Sequence, residues 1–60
     1  MLRQQVERAK GIMERRMGLS EDDAHKRLQQ FARHERCTLG EAAGKVIAAD
    51  KFFAGLETIA

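Results

Sequence analysis

The sequence predicts an all-α protein, a small three-helix bundle. Three observations carry this. The composition favours helix: there is no proline, strand-like runs of β-branched or aromatic residues are absent, and Ala, Leu, Met, Glu, Lys, Arg and Gln dominate. Apolar residues recur at helical spacing in three stretches. Stop and restart signals separate the stretches, first at Gly18-Leu19-Ser20 and again at Cys37-Thr38.

In the first stretch Leu2, Val6, Ala9, Met13 and Met17 fall on one helical face, with Arg8 and Arg15 on roughly the opposite side. Ile12 sits off this stripe, in place for a second contact. Gly11 lies inside the helix at a cost of about 1 kcal/mol relative to alanine, so either something packs close to it or the loss is tolerated. Gly18 is the stop, because glycine enters the left-handed conformation without a Cβ clash. Ser20 is the restart: its hydroxyl can cap a helix beginning at Glu21, with Asp23 reaching back as a partial capping box and Leu19 packing on Ala24 as a staple. Glu21, Asp22 and Asp23 suit the positive end of that helix's dipole.

The second helix is expected from Glu21 to about Arg36, with Ala24, Leu28, Phe31 and Ala32 as its apolar face. It ends without a glycine. Thr38-Leu39-Gly40-Glu41 then forms a capping box, and Leu39, Ala42, Ala43 and Val46 form the third apolar face. Gly55 offers a stop, while Phe52, Phe53 and Leu56 either extend the helix or fold back over the core. The expected core is Val6, Ala9, Met13, Ala24, Leu28, Phe31, Leu39, Ala43 and Val46, with Phe31 at its centre.

Sixty residues allow one domain at most, and a chain this short is marginally stable alone. The single cysteine, Cys37, excludes an internal disulfide. A partner chain or a further domain is the remaining support, and self-association through the first helix or the Phe52–Leu56 segment is expected. No apolar run approaches membrane-spanning length, so no membrane partner is expected. The absence of a signal peptide points to the cytoplasm.

Catalytic apparatus is missing from the pattern. No serine or cysteine nucleophile has a base at motif spacing, no glycine-rich loop follows a strand, and the acids cluster where capping explains them. No enzyme activity and no cofactor is expected. His34 and Cys37 are two potential ligands without a third, so no metal site is expected, and His25 reads as an ordinary half-exposed side chain.

Charge is unevenly spread. The net charge is +2, yet residues 1–17 carry Arg3, Arg8, Lys10, Arg15 and Arg16 against Glu7 and Glu14. Residues 25–37 carry Lys26, Arg27, Arg33 and Arg36 against Glu35, and residues 38–60 are slightly acidic. Two basic helices suit a polyanion, although a solvated charged face explains the same composition.

The ordered set Val6…Ala9-Lys10-Gly11-Ile12, Arg16, Gly18-Leu19-Ser20-Glu21-Asp22…Ala24, Leu28, Phe31-Ala32, Arg36…Thr38-Leu39…Glu41-Ala42-Ala43 resembles the ANTAR domain, the RNA-binding output module of bacterial transcription antitermination regulators. The likeness covers about residues 6–47. The chain departs from the family pattern at Glu14, His25, Gln29, Gly40 and Ala42. The resemblance implies a three-helix domain over residues 1–56 with a tail at 57–60, placed C-terminal to a receiver or other sensor domain of a response regulator in a two-component system. It also implies a homodimer and an RNA partner, a pair of leader-transcript stem-loops whose capture prevents a terminator hairpin. With the charge pattern it nominates Lys10, Arg16, Arg33, Arg36, Thr38, Arg8 and Arg15 as RNA-binding residues. Arg33 and Arg36 lie on the later turns of the second helix, next to the N–H groups exposed at Thr38, and His34 with the arginine planes is left to supply stacking. Two other readings stay open: a helical dimerisation or docking module, and a DNA-binding helix-turn-helix. For the latter the residues after Thr38 are a poor set for base edges.

Overall fold

The computed structural model describes residues 2–59, with side chains from residue 4. It consists of α1 (Leu2–Met17), α2 (Glu21–His34) and α3 (Leu39–Glu57), a three-helix bundle. The side chain of Leu2, expected on the first apolar stripe, lies outside the described ones, as does that of Arg3. No helix among the described residues is long and apolar enough to cross a membrane.

The two reversals form by different chemistry. Gly18 closes α1 at φ +66°, with its N–H donating to the Glu14 carbonyl at 3.0 Å. Two residues later Ser20 opens α2, its Oγ accepting the Asp23 N–H at 3.2 Å. Only this half of the expected box forms: the Asp23 side chain makes no return bond, being one methylene shorter than the Glu that spans that distance elsewhere in the chain. The end of α2 is a Schellman turn, in which Arg36 N–H donates to the Arg33 carbonyl at 3.1 Å and Cys37 N–H to the Ala32 carbonyl at 3.0 Å. α2 therefore stops at His34, and Arg36 occupies the left-handed position at φ +55°.

Small residues build the core. Ala9, Ala24, Leu28, Ala42 and Ala43 are fully buried, with Ile12, Met13 and Ala32 nearly so. Leu28 is the large side chain removed completely from solvent. Val6, Leu19, Phe31, Leu39, Val46 and Ile47 pack around this centre while staying half-exposed. Phe31 is thus a border residue: it lines one side of an open hollow and does not fill the centre. Ile12, off the α1 stripe, is buried because α3 packs along α1 more extensively than α2 does. Gly11 faces open space, so its helical cost brings no close approach in return.

Past Ile47 the core packing stops but the helix does not. α3 runs through Gly55 to Glu57, and residues 51–59 are exposed, including Phe52, Phe53, Leu56 and Ile59.

The burial difference predicts an order of effects. Leu28→Ala should cost about 2–5 kcal/mol and leave the domain largely unfolded. Phe31→Ala should cost about 1–2 kcal/mol, in keeping with its half-burial. Urea melts of both variants check this; equal losses would show that Phe31 is as central as Leu28.

Candidate nucleic-acid interface

Five of the seven nominated side chains fall in two groups at opposite ends of α2, and Arg8 and Lys10 lie along α1. Arg15 and Arg16 close α1 just before the reversal into α2, whereas Arg33 lies 12 residues along α2 from Glu21. At the helical rise that separation is about 18 Å along the axis.

At the first end the cations are engaged within the chain. Arg16 Nε–H donates to Asp50 Oδ1 at 2.6 Å, and its Nη1–H and Nη2–H donate to the Glu57 carboxylate at 3.1 and 3.5 Å. Its guanidinium also lies 5.9 Å from the centre of the Phe53 ring. The Glu57 and Asp50 hydrogen bonds raise the Arg16 pKa above its already high ordinary value. Arg15 stands 3.6 Å from Asp50 but is mostly exposed. Neither Asp50 nor Glu57 was singled out by the sequence pattern. Their spacing with Phe53, three and seven residues after Asp50, marks one helical stripe, and it becomes readable once α3 continues through Gly55.

Lys10 is buried along most of its length, its side chain 11% exposed, with Nζ 3.4 Å from Glu7 Oε2. Its stem covers the core edge while the ammonium emerges beside a carboxylate. Arg8 is exposed on α1 and forms no ion pair among the described residues.

The second end is where basic side chains remain available. Arg33 and Arg36 are exposed and form no ion pair among the described residues. Arg33 lines a shallow hollow with Gln29, Ala32 and Leu39. Thr38 caps α3 there, its Oγ1 accepting the Glu41 N–H at 3.1 Å while Glu41 Oε1 accepts the Thr38 N–H at 2.9 Å. Thr38's hydroxyl is therefore occupied as an acceptor, and the positive end of the α3 dipole is what this corner offers an anion. Lys45 reaches back to Glu35 at 3.2 Å, fixing the turn against α3. His34 is fully on the surface, His25 is half-buried, and no group of three or more His, Cys, Asp or Glu among the described residues could hold a metal ion.

A left-handed Arg36 is costly. A non-glycine residue there is disfavoured by about 1–2 kcal/mol, and the same role at Gly18 is filled by glycine. The turn keeps a long cationic side chain where the backbone alone favours none.

The capping box carries a pH signature. The Thr38 N–H holds the Glu41 carboxyl below its ordinary pKa. A depressed acid contributes stability above its unfolded-state pKa, and that contribution is lost as pH falls through the folded value. Thermal melts should therefore weaken as pH falls through and below 4.5, the ordinary value for a glutamate. Glu41→Gln should lower the neutral-pH midpoint and reduce this acid loss; an unchanged acid profile in the variant would count against the box as its source.

The ANTAR domain family model matches residues 2–47. No curated protein and no solved structure matches the chain. The match spans all of α1 and α2, both reversals and the buried part of α3, and stops where the exposed half of α3 begins. The chain belongs to the ANTAR domain family, a family of regulatory RNA-binding output domains in transcription antitermination.

Proposed function

We propose that this domain holds a pair of stem-loops in a leader transcript and so keeps a terminator hairpin from forming. The observation that carries the reading is the corner made by Arg33, Arg36 and the N-terminus of α3. It combines two guanidinium groups with no ion pair among the described residues, a dipole end and a shallow hollow lined by Ala32 and Leu39. Guanidinium planes supply both phosphate contact and stacking to splayed loop bases, which suits a chain without Trp or Tyr. Arg8 and the emerging end of Lys10 extend the cationic surface along α1, Thr38 caps α3 at the corner, and Arg15 and Arg16 lie apart from it beside Asp50 and Glu57. In this reading the domain is the cytoplasmic C-terminal module of a two-component response regulator, and a receiver or other sensor domain controls its pairing.

A second copy is the proposed partner of the exposed end of α3. Met17, Phe52, Phe53, Leu56 and Ile59 are all exposed, and Phe53 and Met17 border a hollow of about 370 Å³ lined also by Ile12 and Phe31. A docking module alone leaves the Arg33–Arg36 corner without a role. A DNA-reading helix does not fit α3, whose first turns bury Gly40, Ala42 and Ala43.

Arg36→Gly separates stability from binding. It should raise the midpoint of a urea melt by about 0.5–1 kcal/mol of stability while weakening binding to a two-hairpin leader RNA. Arg33→Ala with Arg36→Gly should weaken it further and flatten the salt slope by about 0.7 per lost contact. Unchanged affinity and slope in both variants would remove this corner from the RNA face. For the pairing, sedimentation should show a concentration-dependent dimer that Phe52→Ser with Leu56→Ser makes monomeric. A wild-type monomer at high concentration would overturn that part.

A further inference from the structure

The Arg16 cluster sits outside the corner described above and is built from residues inside the family match and beyond its end. Arg16 belongs to the matched stretch, whereas Asp50, Phe53 and Glu57 lie beyond it. Resting on the RNA reading, we propose that the Asp50–Glu57 stretch of α3 is an electrostatic strap. It withholds Arg16, and in part Arg15, from polyanions, and loosening this end of α3 enlarges the cationic surface.

The geometry resembles that of the ligand it excludes. Glu57 takes the two terminal nitrogens side by side, the way a phosphate would, and Asp50 takes Nε–H. Phe53 sits against the guanidinium, whose planar faces would otherwise be open to a base. Asp50 also stands near Arg15, so one carboxylate serves two cations.

The strap is weakly anchored by everything else. Within a single copy residues 51–59 are exposed, with Phe53 and Leu56 about half covered. Glu57 falls in the last turn of α3, where an acid opposes the dipole and no basic residue of that turn offsets it. Arg16 is what compensates it. Exposed ion pairs are individually weak, so phosphate or salt can displace this one without disturbing the alanine core. A helix end with few buried contacts opens at a low free-energy cost.

The test uses Asp50→Asn with Glu57→Gln, which keeps the size of both side chains and removes their charge. Binding to a two-hairpin RNA is titrated over a range of salt, with far-UV circular dichroism to confirm the helices. The strap predicts roughly tenfold tighter binding at fixed salt and a slope steeper by about 0.7 to 1.4, for one or two added contacts. Adding Arg16→Gln should abolish the gain. Glu21→Gln with Asp22→Asn makes the same change in net charge at acids that form no ion pair with Arg16 and should leave the slope at the wild-type value. Glu57→Gln alone, at the exposed last turn, should give part of the effect and cannot disturb the core. If wild type binds and the double variant matches it, or gains no more than the charge-matched control, the strap is overturned and the RNA reading stands. If neither wild type nor variant binds, the RNA reading falls and takes the strap with it.

Discussion

Ala9, Ala24, Ala32, Ala42 and Ala43 are buried where the three helices meet, and Leu28 is the large side chain that fills the space among them. Small residues let helix backbones approach closely, and close approach brings the ends of neighbouring elements within reach of one another. Lys45 can then meet Glu35 across the second turn, and Arg16 can meet Asp50 and Glu57 across the bundle. The cost is a thin core. A domain of this size buries too little apolar surface to be robust alone, which gives weight to the caps and to the unpaired end of α3.

The two reversals show how local chemistry serves different ends. At the first, glycine takes the left-handed position and the turn is made at no steric cost. At the second, an arginine takes it and the backbone is strained. The Schellman bonds and the capping box of Thr38 and Glu41 hold that strained turn in place, so the bundle keeps a guanidinium at the corner where the α3 dipole is positive. A positive dipole and fixed cations at one corner are a reason for an anion to settle there.

Local signals were the legible part of this chain. The glycine at 18, the Ser20 cap, the Thr38–Glu41 box and the apolar stripes through Ala9, Ala24 and Ala43 each act within one turn or one face, so spacing alone reveals them. Arg33, Arg36 and Thr38 were readable as a group for the same reason: they adjoin one turn. Contacts across 34 and 41 residues were not, because nothing in the spacing of Arg16 points to Asp50 or Glu57. The size of Phe31 suggests a central place, but burial depends on which neighbours surround a side chain, and here small neighbours leave it at the rim of a hollow. Lys10 was readable as basic but not as buried, since a lysine stem packs like an apolar residue.

In the proposed function RNA is met at the α2–α3 corner. Amide chemical-shift mapping of labelled protein titrated with a two-hairpin leader RNA tests it most directly. Shifts concentrated at Gln29, Arg33, Arg36, Thr38 and Leu39, with Phe52 and Leu56 unmoved at low protein concentration, are the expected result. Shifts confined to Met17 and the Phe52–Leu56 segment, with the corner unmoved, would contradict it.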